Sequence, residues 1–453
     1  MLYSKDFTVA ICGGGLCGLS CAVAFARAGI SVTVFEASTF SQEAGAGVGL
    51  GYSALCIEIA ASLIPFYQSK RHPRVESQYA ICNSDDNLNF NQGLGIFDAV
   101  LAQSDQRRPA PRLFSFVSGK NPHDCIFDYE TDCEDPVALA IYRPAFLEAV
   151  LALLDPSIIM FRKRCTSLNV SETGKHILHF ADGTTHEADL VIGADGVRSV
   201  ARRYVIGDVP GNPLVYANTV AYRGLIPTED LQKAGIQTDL TRRPICFLGL
   251  GKHIICFPIK GATVINIVVF LAEHDEPLQS ELPYPWVESV SQDELKDSCK
   301  DWGHDPMIIL DHLTNPSKWS IHALDPPLQS YVRDKVVLVG DAAHAMLPHL
   351  GAGVGQGFED VSVLVQLLTH PQTQKSNLYD VLARYNDVRP PRANDVLQAS
   401  ARMGRLYDSF RSSAQDKATL QKELSGIWEA VWNYDLDADV VNALEILRRS
   451  DVF

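Results

Sequence analysis

The opening residues leave little freedom of fold. An apolar run at 7–12 (FTVAIC) reads as a buried strand, Gly13-x-Gly15-x-x-Gly18 as a glycine turn, the stretch to about Ala28 as a helix, and 31–36 (SVTVFE) as a second strand. Together they form one βαβ unit. Glycines at this spacing allow a tight turn and let the backbone approach a pyrophosphate, while the helix N-terminus supplies free N–H groups and the positive end of its dipole. Glu36 closes the second strand, where an acid accepts hydrogen bonds from a ribose diol. With its strand, helix and terminal acid the unit points to a dinucleotide, and by itself does not separate FAD from NAD.

Two later segments carry related chemistry. The apolar strand 335–341 (KVVLVGD) runs into Gly340-Asp341-Ala342-Ala343-His344, followed by Pro348, Gly351, Gly353 and Gly355. An acid ending a parallel strand is placed to bond sugar-like hydroxyls. The glycine-rich turn leads into a helix expected at 357–368, whose N–H groups can face an electron-rich ring and stabilise negative charge there. The third segment is 189–199 (DLVIGADGVRS), with Asp195-Gly196 after a strand and Arg198 nearby. The Asp-Gly dipeptide alone would read as an ordinary turn.

Between these segments the pattern changes. Arg143–Leu154 has helical spacing with Pro144 in its first turn, and strand alternation appears at 176–180 before a turn at Asp182-Gly183. Residues 45–60 read as a loop entering a helix, and 72–136 as strands and loops of a second lobe. From about 213 to 272 the chain is mostly β, at 219–226, 253–259 and 263–271. From 357 onward it reads as helices with one break at Arg389-Pro390-Pro391. One α/β domain is thus written in pieces around a separate sheet. The tail 395–453 carries Leu, Val and Trp at helical spacing, for a dimer face or for packing on the α/β domain; a monomer and a homodimer both remain open.

A net charge of −15 argues against nucleic acid or an anionic membrane as partner. No apolar run is long enough for a membrane span. The eleven cysteines are scattered, with no Cys/His ligand spacing, so no metal is expected. Reduced thiols and a cytoplasmic setting are expected instead.

The three motifs, in this order, resemble the single-component aromatic hydroxylases of the para-hydroxybenzoate hydroxylase superfamily. The first resembles their ADP-binding fingerprint, DLVIGADGVRS their "DG" motif, and VVLVGDAAHAMLPHLGAGVGQGFED their "GD" motif. Within that group the chain looks most like the salicylate hydroxylase branch, which includes fungal phenol hydroxylases of polyketide pathways. Gly45–Leu50, Tyr142-Arg143 with Phe146-Leu147, Ala221–Pro227, Leu248–Ile259 and Trp432–Asp437 carry this closer likeness. The fold it implies is α/β: a Rossmann-like FAD-binding domain (1–75, 137–205 and 324–394), an inserted β-sheet substrate domain (76–136 and 206–323) and a helical C-terminal region (395–453).

The resemblance also implies roles. Gly13, Gly15, Gly18, Glu36 and Ala37 would bind the adenosine end of a tightly held, non-covalent FAD, with Arg143, Asp195, Gly196 and Asp341 contacting it elsewhere. Gly47 and Val48 would lie near the flavin ring, with Pro348, Gly351, Ala352, Gly353 and Val354 beside it. Arg223, Pro348 and His349 are the candidate catalytic residues; His253 and His322 are further candidate bases. NADH or NADPH would reduce the flavin transiently, and molecular oxygen would form a C(4a)-hydroperoxide whose distal oxygen a small phenolic substrate attacks. A salicylate-like substrate would be hydroxylated at the carbon bearing the carboxylate, with loss of carbon dioxide. Water would break the peroxide down, so the site must be closed and apolar; Phe247, Phe257 and Val269 are expected among its lining. Dearomatising fungal relatives often carry Tyr where Phe257 stands, which favours the salicylate-like side. Leu350 replaces a polar residue in the common "PHQGAG" run, a difference that bears on the substrate. A flavin oxidase or dehydrogenase is the competing enzymatic reading.

Overall fold

The computed structural model describes residues 5–38, 47–51, 112–130, 138–207, 213–411 and 413–453. The expected loop-and-helix at 45–60 and the lobe at 72–136 therefore fall largely outside the described residues.

The opening βαβ unit forms as expected: strand Thr8–Cys12, helix Leu16–Arg27 and strand Ser31–Glu36. Thr8–Cys12 is the hub of a six-stranded sheet. It pairs in parallel with Ser31–Glu36 on one side and Leu190–Gly193 on the other. Val336–Leu338 and Ile159–Phe161 extend the sheet in parallel, and Val332–Arg333 closes it antiparallel. Strands distant in sequence thus place Gly13, Asp195 and Gly340 at the same carboxyl edge, where ligands bind open α/β sheets. These strands are near-continuously apolar because both faces are covered. Helices Leu16–Arg27 and Gly353–Thr369 pack together over one face.

A nine-stranded sheet contains Leu214–Pro227, Val264–Ala272, Lys252–Ile259 and Ile245–Leu248 as consecutive neighbours, in the first case with Ser317–Leu324 on the far side. Its strands alternate, so each presents one residue in two to either face. Tyr222, Ile254 and Val269 bury one face with Leu295, Ile309 and Leu310, from helices Gln292–Cys299 and His304–His312. Ala221, Val268 and Phe270 lie on the other face. Phe247 and Val269 belong to the helix-covered face, so the expectation that they line the reaction site is corrected. Their place in the two-residue period decides this, and hydrophobicity alone does not reveal it.

The expected break at Arg389-Pro390-Pro391 does not occur. Helix Leu378–Tyr407 runs through both prolines. Each proline removes one helix hydrogen bond, a penalty of roughly 3 kcal/mol. Opposing it, Leu382, Tyr385, Ala393 and Leu397 continue one buried stripe across the prolines. Arg389, fully buried, anchors the same turn to Glu359, Asp360 and Gln356. The C-terminal helix Leu436–Arg449 buries Leu436, Val440, Ala443, Leu444 and Leu447 in the core of the α/β region. That is the packing alternative for the tail. No helix among the described residues is long and apolar enough to cross a membrane.

Candidate active site

At the carboxyl edge of the parallel sheet lies a cavity of about 540 Å³, lined by Gly13, Gly15, Glu36, Ala37, Arg143, Asp195 and Gly196 among others. The glycines explain its shape. A Cβ on Gly18 would lie 2.0 Å from the Gly13 carbonyl oxygen, so the helix reaches the turn only without a side chain. At Gly15, by contrast, a Cβ would meet nothing within 4 Å. Its position is open space against the cavity, where backbone is free to approach a phosphate.

Glu36 is oriented before any ligand arrives. Its Oε2 accepts from the Gly14 N–H at 2.7 Å, and its Oε1 from the Ser38 N–H at 2.7 Å and hydroxyl at 2.8 Å. Each oxygen has two lone pairs, and the carboxylate still faces the cavity. Asp195 accepts from the N–H groups of Val200 and Ala201, at 2.7 and 3.1 Å, and from the Ser199 hydroxyl. It therefore organises the helix Val200–Ile206 as well as lining the cavity. Burial pushes its carboxyl pKa up despite these donors.

Arginines complete the wall; of these, sequence reasoning singled out Arg198 and missed Arg164, Arg202 and Arg203. Arg164, Arg198, Arg202 and Arg203 all reach the cavity. Arg164 and Arg203 have no ion-pair partner among the described residues, which gives an acidic chain a local basic site suited to a pyrophosphate. Arg202 serves the scaffold: it donates to the carbonyls of Val197, Asp341 and Ala342, at 2.5, 3.3 and 3.2 Å. It thereby ties the second and third motifs together. The doublet Arg202-Arg203, just after DGVRS, was the signal available in the sequence.

The Gly340–His344 turn is held from behind. Asp360 accepts from the Gly340 N–H at 2.8 Å and bonds His344 Nε2 at 2.6 Å, and Arg389 Nε donates to it at 2.7 Å. Burial alone would raise the Asp360 pKa, but His344 and Arg389 outweigh it and hold the group below the usual carboxylate range. Asp341 itself is exposed, and its carboxylate accepts no hydrogen bond among the described residues. Pro348 opens the short turn Pro348–Leu350, which Gly351 ends in a left-handed conformation at φ 62°. Ala352 then precedes the helix Gly353–Thr369, whose first turn, with Gly353 and Val354, has no side-chain cap. Its N–H groups are thus available to a ligand. Gly47 and Val48 lie on the strand Gly47–Gly51, paired with Tyr142 and Ile141.

Arg223 lies on the inward face of the large sheet. Its neighbour Tyr222 bonds Glu294 on the helix side at 3.0 Å, so Arg223 points the other way. Its guanidinium sits 5.2 Å from the Trp319 ring centroid and has no ion-pair partner among the described residues. Desolvation lowers its pKa. Ala221, Val268 and Phe270 share this face, with Ile255, Trp319 and Ile321 packed against them. Phe257 alternates in register with Ile255 and therefore also lies on it. His349 meets the Phe270 ring at 5.1 Å. The sheet face carrying Arg223 and the turn carrying Pro348 thus adjoin. His322 is excluded as a base: its Nδ1 bonds the Ser320 carbonyl at 2.9 Å, its Nε2 accepts from Leu282 N–H at 3.1 Å, and its ring stacks on Trp286.

Fold and cavity define a dinucleotide-binding enzyme with a largely apolar sheet face, carrying Arg223, beside its cofactor edge. Comparison with known proteins narrows this class. A family model described as an FAD binding domain matches residues 158–400. A salicylate hydroxylase of Pseudomonas putida is 33% identical over 446 residues, covering 96% of this chain and 94% of that one. A 6-methylsalicylate 1-monooxygenase of Aspergillus terreus is 29% identical over 444 residues, covering 96% and 90%. A solved salicylate hydroxylase substrate complex superposes with a TM-score of 0.78 at 28% identity, covering 97% of this chain and 98% of that one. The chain belongs to the FAD-dependent aromatic monooxygenases related to salicylate hydroxylase. The open Gly15 edge, Glu36 and the cavity arginines fit the ADP half of FAD.

Proposed function

We propose that this monooxygenase hydroxylates a small phenol bearing a carboxylate, of the salicylate type, with Arg223 as the anchor for the carboxylate. The observation that carries this is the desolvated guanidinium, without an ion-pair partner among the described residues, on the sheet face it shares with Ala221, Val268 and Phe270. A half-buried cation without a partner among the described residues is unfavourable, and an anionic substrate relieves it with a charge-assisted contact. Val268, Phe270 and Trp319 offer the ring an apolar bed and help exclude water. The names of the relatives point the same way.

Bound FAD supplies electrons taken from NAD(P)H and activates dioxygen. Gly13, Gly15, Gly18, Glu36 and Ala37 would hold its adenosine end, with Arg143, Asp195, Gly196 and Asp341 further along. Gly47, Val48 and the segment Pro348–Val354 would meet the ring. The uncapped helix at Gly353 favours negative charge there. With a salicylate-type substrate the products are a catechol, carbon dioxide, water and NAD(P)⁺, from one dioxygen, one NAD(P)H and two protons.

The FAD-binding unit we assign to 1–75, 137–205 and 324–394, and the substrate unit to 76–136 and 206–323, leaving the helical region 395–453. The composition of the two large sheets supports the separation of the first two units, while helix Leu378–Tyr407 runs across the 394/395 boundary. A reducing, cytoplasmic setting is supported by Cys12, Cys21, Cys246 and Cys256, which are buried free thiols.

The test is NADH and NADPH consumption by the purified yellow protein with a panel of salicylates and phenols. Salicylates should stimulate consumption and release carbon dioxide with a catechol. Stimulation by uncharged phenols alone contradicts the carboxylate anchor, and peroxide formation without any aromatic product favours an oxidase.

A further inference from the structure

The turn Pro348–Leu350 has two unlike sides. Pro348 and Gly351 are exposed, and a Cβ on Gly351 would meet nothing within 4 Å. His349 and Leu350 are buried on the other side, against the C-terminal helical region. Each backbone carbonyl from Leu347 to Leu350 has a donor. The Ser400 hydroxyl donates to Leu347 at 2.5 Å, the Gly351 N–H to Pro348 at 2.9 Å, the Tyr407 hydroxyl to His349 at 3.2 Å, and Trp428 Nε1 to Leu350 at 3.3 Å. Ser400 Oγ also accepts from the Leu350 N–H at 3.2 Å. Apart from the turn's own Gly351, the donors are therefore side chains of the C-terminal region.

The end of helix Leu378–Tyr407 permits this contact. Ser400, Gly404 and Tyr407 recur on one face at helical spacing. A Cβ on Gly404 would lie 2.5 Å from the His349 ring, so the helix comes this close only with glycine there. Asp408 follows and pins the helix to the substrate sheet: its Oδ1 bonds His253 Nδ1 and its Oδ2 bonds His274 Nε2, both at 2.7 Å. Burial would raise the Asp408 pKa, but His253 and His274 hold it at about 2, so the group stays a carboxylate. One helix end thus touches both the turn and the sheet that carries Arg223.

We propose that Ser400, Tyr407 and Trp428 are positioning residues that fix the Pro348–Gly351 turn, and with it the flavin ring, relative to the substrate face. The inference rests on the reading above that puts this turn beside the flavin ring. All three side chains are buried, so removing a donor leaves a carbonyl unsatisfied and the turn free to shift. Oxygen transfer is sensitive to such shifts, because a misplacement of about 1 Å can cost roughly a hundredfold in rate.

The test compares FAD-loaded Ser400→Ala and Tyr407→Phe, each of which deletes a hydroxyl, with Val381→Ala. Val381 is buried on the same helix, roughly 28 Å along the axis from Ser400, so V381A removes packing at a distance from the turn. In S400A and Y407F the FAD content should stay near wild type, the visible flavin band should shift, and amide exchange of segment 347–354 should quicken. Hydrogen peroxide formed per NAD(P)H should rise about fivefold at the expense of aromatic product, equivalent to a net hydrogen bond of about 1 kcal/mol. V381A should lower Tm and leave flavin band and peroxide yield unchanged. A wild-type flavin band and peroxide yield in S400A and Y407F would overturn the proposal, as would equal changes in V381A. If the wild-type protein forms no aromatic product, the hydroxylase reading falls by itself, and the flavin band and amide exchange still decide the positioning role.

Discussion

Arg223→Gln separates binding of the substrate carboxylate from integrity of the fold. The native guanidinium has no ion pair to lose among the described residues, and its one ring contact, with Trp319 at 5.2 Å, is worth about 0.5–1 kcal/mol. Removing an unpaired, desolvated charge offsets part of that, so stability of the ligand-free protein should change by less than about 1 kcal/mol. With substrate bound, truncating one partner of a buried charge pair costs roughly 2–5 kcal/mol. Because Arg223 is only half-buried, the lower end applies, and about 1.4 kcal/mol per tenfold converts it to a KM rise of roughly 30-fold. The assay is steady-state NAD(P)H oxidation by R223Q with a salicylate and with the same phenol lacking its carboxylate, beside thermal unfolding of both proteins. The salicylate KM should rise and the phenol KM should not. Equal changes for both substrates, an unchanged salicylate KM, or a large fall in Tm would refute the reasoning.

Other substitutions test the scaffold. Gly15→Val directs a side chain into open space at the cavity edge; it should leave Tm near wild type and sharply lower the flavin absorbance per protein. Gly18→Ala places a Cβ 2.0 Å from a backbone oxygen and should instead destabilise the ligand-free fold, seen as a lower Tm before FAD is added. Arg389→Ala removes one cation from the buried Glu359 and Asp360, leaving Arg392 on the first and His344 on the second, and should cost about 3 kcal/mol, the low end for breaking a buried pair, in denaturant unfolding. Asp408 has its pKa depressed to about 2, so its contribution is present above the unfolded value near 4 and is lost as pH falls toward 2. That contribution is roughly 2 kcal/mol; urea unfolding of Asp408→Asn should show a correspondingly shallower acid limb.

The parts of the account visible in the sequence were those set by local pattern. The Gly13–Gly18 turn, Glu36 and Asp195 could be placed because a strand, a glycine turn and a helix are contiguous, and the structure brings them to one cavity. Arg223 could be assigned to the sheet. What stayed hidden depended on register or on distant contacts. Phe247 and Val269 look as suitable for the reaction site as Phe270, yet a one-residue offset turns them to the opposite face. Pro390 and Pro391 are tolerated because the helix keeps its buried apolar stripe across them and Arg389 reaches Glu359 and Asp360 on another helix. Asp408 joins His253 and His274 across separations of 155 and 134 residues, and no local spacing announces such a cluster.

The most direct measurement is the mass of the aromatic product formed under ¹⁸O₂ with NAD(P)H and a stimulating substrate. A monooxygenase that uses dioxygen in this way puts one labelled oxygen atom into the ring product and the other into water. A product carrying only unlabelled oxygen, or labelled hydrogen peroxide with no oxygenated aromatic, would contradict the account.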